Sequence, residues 1–457
     1  MTAATLPSAG TMAALVAGAV IVIGLLAVLM RRHPQALPLL AVAALPFRLP
    51  ISAGGKTVNL LIPLYLVVGA GTIAFLIPRL LAAASARRDG TAQAGAGAPL
   101  RSLAWWTSTS GLQALLFGAV GLYALQAVYS ADHARAGENI LAFYIPFALL
   151  FLLLRDVSWN RGLLLRCLGV AVALAVIFAG IGFVEYSRKS LFLNPKVVAA
   201  NQYDNYFRVN SLFFDPNIYG RFLALVMIAV MTVVLWTRRR RDIYVGAAVL
   251  AWLLAGLVTS FSQSSIAALL LGLVILAAFR WDVRRTLLVS ATLLALALAG
   301  VMLSPASLHF GLKGSSGSTS NATSGRTKLI SGGLELFSER PLQGYGSGSF
   351  ETEYKRHSGA SAENATSASH TIPVTVAAEQ GILGLALYIA LLISAAMVLF
   401  RGAGRSPPRI ALAAGFAALV LHTWTYADFL EDPFTWAILA IGVALAKDAQ
   451  AEQASSF

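Results

Sequence analysis

Long apolar runs separated by short polar segments make up most of the chain. A helix needs about 20 apolar residues to cross the hydrocarbon core of a membrane. Thirteen runs are candidates for such helices, and they occupy residues 11–30, 36–50, 57–77, 110–129, 138–154, 162–185, 220–236, 243–260, 264–279, 286–303, 372–400, 410–427 and 433–446. The pattern therefore predicts an all-α, polytopic membrane bundle of about 12–13 transmembrane helices.

Composition supports the same class of protein. Hydrophobic residues make up 58% of the 457 residues and charged residues 12%. A soluble domain carries about 25% charged residues, so this chain lacks the polar surface of one. Cys167 is the single cysteine, which excludes an intrachain disulfide and a cysteine-based metal cluster.

Basic residues divide the polar segments into two alternating sets. One set, which includes Arg238 to Arg241, holds 20 of the 34 basic residues. Cationic loops resist translocation, so we expect this set inside, the N-terminus outside and the C-terminus inside. The net charge of +14 then reflects topology rather than binding to nucleic acid. We expect the first helix to be retained, because no basic segment precedes it.

Two long segments are predicted to lie outside, at residues 186–219 and 304–371. They suggest a division into 1–303 with transmembrane helices 1–10, 304–371 as a large external loop, and 372–457 with helices 11–13. The loop contains a Ser/Gly-rich stretch, SSGSTSNATSG, which we expect to be mobile. Apolar positions between Leu329 and Phe337 then predict a short amphipathic helix that ends before Pro341.

Side chains suited to binding a glycan and phosphate follow in the first external segment. Asn217 lies among aromatic residues, with Arg208 before it and Arg221 after it. Aromatic faces suit sugar rings, amides bond hydroxyls, and arginine forks pair with phosphate oxygens. The alternative is an interfacial belt of tyrosine and arginine, which is common in membrane proteins.

Two ionisable residues mark the apolar run that starts near residue 372. His370 directly precedes this run and can exchange a proton near neutral pH, although a boundary histidine is often only solvated. Glu379 lies within the run, where a carboxylate is costly unless it is paired or faces water. We interpret Glu379 as functional or as the partner of an arginine.

Two further polar clusters have simpler interpretations. Gln263 lies among serines between two apolar runs, which favours a tight turn with a serine N-cap. Asp428, Glu431 and Asp432 form an acidic cluster that could hold a metal ion. Only carboxylates are visible at this spacing, so we favour a solvated turn before Pro433.

Taken together, these residues resemble the O-antigen ligase and polymerase superfamily over roughly residues 200–400. His370-(x8)-Glu379-x-Gly381-x-x-Gly384 is similar to the family's histidine motif. The family's loop signature resembles Ser324-Gly325-Arg326 followed by Pro341, Gly344, Gly346, Gly348 and Phe350. Its upstream segment resembles Arg208 with Asp215-Pro216-Asn217. The chain departs from the pattern at Thr371, where many members have Asn, and at Gln263, where an arginine is usual.

The resemblance implies a GT-C-type membrane glycosyltransferase of the bacterial inner membrane, with its active site facing the periplasm. The donor would be a glycan on undecaprenyl pyrophosphate, with no metal, cofactor or nucleic acid involved. His370 would be the general base with Glu379 as its catalytic partner. Pyrophosphate and glycan would contact Arg208, Arg221, Arg326, Asn217 and Tyr345.

The acceptor separates the possible activities. A ligase of lipopolysaccharide biosynthesis would use lipid A–core, and a polymerase would use another lipid-linked repeat. The motif set favours the ligase. A non-enzymatic transporter is a third reading, but it would bury charges along a path at the membrane midplane, whereas the ionisable residues here gather at the external ends.

Overall fold

A computed structural model describes residues 9–53, 56–88, 103–192, 207–282, 284–292, 295, 319–359, 369 and 371–455. These residues form a bundle of α-helices with one short β-hairpin. Within this part of the chain, nine helical segments are long and apolar enough to cross a membrane, judged by length and composition. The predicted class, a polytopic helical bundle, is confirmed.

The first half of the chain contributes nine helices and the hairpin. The helices are α1 (Ala9–Arg32), α2 (Ala36–Ala44), α3 (Ile62–Gly71), α4 (Ile77–Arg88), α5 (Leu103–Trp106), α6 (Thr109–Gln126), α7 (His133–Asn139), α8 (Ile145–Leu154) and α9 (Arg161–Arg188). The hairpin pairs β1 (Leu49–Ala53) with β2 (Lys56–Leu60) in antiparallel register. Single π-helical turns, Thr72–Leu76 and Ile140–Tyr144, join α3 to α4 and α7 to α8.

The second half contributes eight helices with assigned bounds. They are α10 (Pro216–Trp236), α11 (Arg240–Ser260), α12 (Gln263–Arg280), α13 (Thr319–Glu339), α14 (Phe350–Ser358), α15 (Ile372–Phe400), α16 (Pro407–Thr425) and α17 (Pro433–Ser455). Residues 284–292 are helical as well. The predicted span 286–303 continues beyond them into residues that are mostly outside the described ranges.

The predicted span 36–50 is wrong. Its helix ends at Ala44, and the chain then enters the hairpin at Leu49. Pro46 explains the break, because proline has no amide hydrogen with which to continue the helix. The next predicted span, 57–77, begins in the second strand, and its helix starts only at Ile62.

The spans predicted at 410–427 and 433–446 form α16 and α17. Neither helix is among the nine segments that are long and apolar enough to cross a membrane.

The segment predicted to form a large external loop contains helices, as expected, within its described residues. The amphipathic segment forms as part of α13, where Leu329 and Leu336 are buried while Leu334 is 51% exposed. Residues 319–325 of the Ser/Gly-rich stretch are helical, because α13 begins at Thr319, and the mobility of the stretch stays a prediction. The rest of that stretch lies outside the described residues.

Two apolar clusters form the interior of the bundle. One is built from α1, α2, α3, α6, α8, α15, α16 and α17, and the other from α9, α10, α11, α12 and α16. The most apolar 18-residue stretch of α10 is 67% buried, whereas that of α1 is 11% buried. Other helices therefore enclose α10, and α1 lies at the periphery of the bundle. The segment 426–432 contributes to both clusters, through Phe429 in the first and Tyr426 beside the second.

Arginine-rich segments meet at one end of the bundle. Arg79 forms an ion pair of 2.8 Å with Asp156, which joins the end of α4 to the α8–α9 connection. Arg280, at the end of α12, donates a hydrogen bond of 3.0 Å to the carbonyl of Leu235. These contacts join the segments predicted to face inside in two pairs, and their side of the membrane stays a prediction.

Candidate functional site

The opposite end of the bundle holds a glycine-rich loop docked against a break in α15. At Gly381 the backbone leaves helical geometry, with φ 65° and ψ −163°. The amide of Ile382 donates to the carbonyl of Pro341 at 2.7 Å, and the amide of Gly346 donates to the carbonyl of Glu379 at 2.8 Å. The loop 341–350 thus satisfies backbone groups that the interrupted helix leaves open.

Glycine is required on both sides of this contact. Gly344 has φ +67°, and a Cβ atom there would lie 2.3 Å from the carbonyl oxygen of Glu379. A Cβ atom at Gly381 would lie 2.3 Å from the carbonyl oxygen of Leu342. Both positions combine positive φ with a close backbone approach, so a side chain at either would be strained and would separate the loop from the helix.

The carboxylate of Glu379 holds the same loop. Its Oε2 accepts a hydrogen bond from the amide of Gly348 at 2.9 Å, and its Oε1 accepts one from the amide of Phe350 at 3.1 Å. The side chain is buried, at 7% exposure. One interpretation of the sequence paired Glu379 with an arginine. Within the described ranges its carboxylate instead bonds these two backbone amides. A catalytic role for Glu379 stays a prediction.

A cavity of about 90 Å³ lies beside Glu379, and sequence reasoning missed most of its polar lining. Asn139 donates hydrogen bonds to the hydroxyl of Tyr123 at 2.8 Å and to Oε1 of Glu431 at 3.0 Å. Arg135 also lines the cavity. Burial first, and then the Asp428 carboxylate, raises the pKa of Glu431 to about 7.

The structure brings Arg208 and Asn217 together, as their predicted shared role requires. The Arg208 guanidinium donates to the side-chain oxygen of Asn217 at 3.4 Å and to the carbonyl of Ser260 at 3.2 Å. The Ser262 hydroxyl donates to the same Asn217 oxygen at 2.8 Å. Ser262 also caps α12 by accepting from the amide of Ser265, so the predicted serine-capped turn is confirmed.

Arg221 lies deeper in the bundle than the sequence suggested. Its guanidinium forms an ion pair of 2.6 Å with Asp432, and the two side chains are 2% and 1% exposed. It also donates to the carbonyl of Ala427 at 3.3 Å. The interpretation of 428–432 as a solvated turn is therefore wrong for Asp432, because α10 supplies the positive charge that allows a carboxylate to be buried there. Binding of substrate by Arg221 stays a prediction.

His422 is a polar residue of this region that sequence reasoning missed. It lies in α16 with 0% exposure, and its Nε2 is 3.0 Å from the Ser265 hydroxyl. An ionisable residue inside an apolar run is unusual. That feature drew attention to Glu379, and it could also have identified His422. His422 thus joins α16 to the turn that supports Asn217.

Tyr345 is engaged within the large loop itself. Its hydroxyl donates a hydrogen bond to Glu339, and the Arg340 guanidinium lies 4.4 Å from its ring centroid. Burial first, and then the bond to Glu339, raises the pKa of Tyr345 to about 12. The phenol therefore stays protonated at neutral pH. Contact of Tyr345 with substrate stays a prediction.

The remaining two predicted residues lie at the margins of the described structure. Arg326 falls within α13, but its side chain is outside the described part. His370 is itself outside the described residues, between Ser369 and Thr371. Thr371 occupies the N-cap position of α15, the helix that carries Glu379, without a side-chain capping hydrogen bond.

The fold defines a multi-pass helical membrane protein with a polar site at one end of the bundle. Residues 248–389 match the family model described as O-antigen ligase, which confirms the resemblance to that superfamily over this part of the chain. A search of curated proteins finds no match. The matched region contains the glycine-rich loop and Glu379, and it supports a glycan-transferring enzyme of the ligase and polymerase type.

Proposed function

We propose that the protein transfers a glycan from undecaprenyl pyrophosphate to an acceptor hydroxyl, and that this reaction is O-antigen ligation to lipid A–core. The reaction would take place at the periplasmic face of a bacterial inner membrane. The observation that carries the proposal is the family match over residues 248–389, which spans the docked glycine-rich loop and Glu379. A polymerase that uses the same donor is the alternative that the match also accommodates.

In the proposed reaction His370 removes the proton from the acceptor hydroxyl. The oxygen attacks the anomeric carbon of the donor, and the bond between that carbon and the pyrophosphate oxygen breaks. Undecaprenyl pyrophosphate leaves with the electron pair, and direct attack inverts the anomeric centre. Glu379 supports this step by holding the loop 341–350 against α15, which is the helix that begins directly after His370.

Arginine side chains are proposed to stabilise the charge of the leaving pyrophosphate. Arg208 suits this role because Asn217 and Ser260 orient its guanidinium at the end of α10. Arg326 is proposed from its motif position in α13. Arg221, which is buried against Asp432, is proposed to hold the segment 426–432 in place rather than to reach the donor itself.

Replacing Arg208 tests this assignment. We expect Arg208→Ala to weaken binding of the lipid-linked donor and also to slow turnover, because the contact exists in both ground and transition states. Arg208→Lys should recover only part of the loss, since lysine keeps the charge without the bidentate fork. Donor binding and product formation are measured at equal expression. Full recovery by lysine, or unchanged donor binding in Arg208→Ala, would remove Arg208 from the pyrophosphate site.

We expect catalysis to survive chelation of metal ions. If arginine side chains neutralise the pyrophosphate, EDTA should leave the transfer rate within about twofold of the untreated rate, because no ion supplies the stabilising charge. The measurement is product formation before and after EDTA, with magnesium or manganese added back. Activity that is lost with EDTA and restored by either ion would contradict the proposal.

The proposed orientation predicts which cysteines a membrane-impermeant thiol reagent can label. In a Cys167→Ala background, Ser338→Cys should be labelled from the periplasmic side, because it is exposed on the helix of the large loop. Arg239→Cys, which is exposed in the arginine-rich segment, should be labelled only after the membrane is opened. The opposite pattern would place the candidate site in the cytoplasm and would contradict the proposed reaction.

A further inference from the structure

A second cavity, of about 750 Å³, lies at the arginine-rich end of the bundle, opposite the candidate site. Segments from five places in the chain converge on it. They are residues 107–109 before and within α6, Trp159 between α8 and α9, residues 397–398 at the end of α15, residues 401–409 leading into α16, and residues 445–450 of α17. Neither the proposed reaction nor the motifs of the sequence involve this cavity.

The cavity is positively charged. Arg401, Arg405 and Arg409 line it, against a single acidic residue, Asp448. Arg401 and Arg405 are exposed, and within the described ranges no carboxylate lies within ion-pair distance of either guanidinium. Their charge is therefore available to an anionic ligand.

Arg409 fixes the turn that presents these two charges. It is 9% exposed, and its guanidinium donates to the carbonyls of Arg401 at 2.7 Å and Val398 at 3.4 Å. These carbonyls belong to the end of α15, where a cation is favoured by the helix dipole. Gly402, with φ +71°, allows the chain to reverse directly after Arg401. The turn is thus held by buried contacts while Arg401 and Arg405 remain on the surface.

Part of the cavity wall is apolar, and the rest carries the uncharged polar residues Thr107, Ser108, Thr109, Ser406 and Gln450. Met397, Val398, Leu445 and Ala446 line the cavity together with Trp159, whose ring is buried at 6% exposure. A soluble phosphate would use the cationic rim but leave this apolar surface uncovered. A phospholipid would use both, because its phosphate can pair with guanidinium groups while the start of its acyl chains covers the wall.

We propose that this cavity binds the headgroup of an anionic phospholipid from the leaflet at the arginine-rich end of the bundle. The ligand chemistry is a phosphodiester held by Arg401 and Arg405, with its glycerol and first methylene groups against Met397 and Leu445. The lipid would join the ends of α6, α15 and α17. Since α15 carries Glu379 at its other end, occupancy would stabilise the helix that supports the glycine-rich loop.

The test measures lipid affinity of the purified full-length protein in detergent by native mass spectrometry. Phosphatidylglycerol and phosphatidylcholine with identical acyl chains are compared, and inorganic phosphate is added as a soluble competitor. We expect saturable binding of phosphatidylglycerol, much weaker binding of phosphatidylcholine, and no competition by phosphate at equal concentration. The double variant Arg401→Gln/Arg405→Gln should weaken binding of phosphatidylglycerol by about 30-fold, since each arginine near a membrane surface contributes a factor of about five.

The matched control is Arg238→Gln/Arg239→Gln, which removes the same charge from exposed positions outside the cavity. It should change the affinity by no more than about twofold. The variant Arg401→Lys/Arg405→Lys should retain intermediate affinity. Equal binding of both lipids, equal loss in the control variant, or displacement by inorganic phosphate would overturn the proposal. All of these readouts are binding measurements, so they do not depend on the proposed transfer activity.

Discussion

His370→Ala should lower the turnover of glycan transfer by about 10²–10⁴-fold, the range that a positioned general base contributes. Binding of the lipid-linked donor should be retained, because the base acts on the acceptor hydroxyl and leaves the pyrophosphate contacts intact. The measurement is donor binding and product formation for the variant and the unmodified protein, at equal amounts in membranes. Loss of donor binding together with turnover would instead make His370 a ligand of the pyrophosphate.

The control for this experiment is His33→Ala. His33 is exposed at the arginine-rich end, and its removal should be silent. His357 shares a loop with His370 but is unsuitable as a control, because its ring lies 2.9 Å from Glu339 and also contacts Tyr345. Near-normal turnover in His370→Ala would show that the histidine motif does not carry over to this chain.

Asp432→Ala should be among the most destabilising single substitutions in the site. It leaves the Arg221 guanidinium buried without its partner, and breaking a buried ion pair in this way costs about 3–5 kcal/mol. The double variant Arg221→Met/Asp432→Leu removes both charges and should recover most of that stability. The measurement is the midpoint of thermal unfolding in detergent for both variants.

An exposed ion pair provides the comparison. Arg79 and Asp156 are 2.8 Å apart, but their side chains are 52% and 32% exposed. Asp156→Ala should therefore cost less than about 1 kcal/mol. If Asp432→Ala is as mild as Asp156→Ala, Arg221 does not depend on Asp432. Arg221 would then return to consideration as a direct ligand of the pyrophosphate.

Apolar runs predicted most helices correctly because a membrane span is set by length and composition. The error at residues 36–50 arose because overall apolarity outweighed Pro46, a single residue that ends the helix. An apolar run that is barely long enough to span a membrane can instead form a short helix followed by a hairpin, as α2 and the strands after it do.

The sequence could predict parts of the candidate site only where a single residue or a short motif was unusual in its local context. A carboxylate inside an apolar run identified Glu379, and the spacing of glycines between Pro341 and Phe350 identified the loop signature. The contact between Gly344 and the Glu379 carbonyl joins distant segments, and so does the ion pair of Arg221 with Asp432. Neither leaves a local pattern in the sequence. His422 did carry a local signal, a histidine inside an apolar run, but its contact with Ser265 on another helix left none.

The most direct test of the proposed function is glycan transfer by the purified full-length protein. The protein is incubated with a glycan linked to undecaprenyl pyrophosphate, once with lipid A–core and once without a second acceptor, and the products are separated by size. We predict that glycan appears on lipid A–core and that no product forms without it. A ladder of lengthened lipid-linked glycan in the reaction without lipid A–core would contradict ligation and indicate a polymerase. No glycan transfer in either reaction would contradict the proposed activity as a whole.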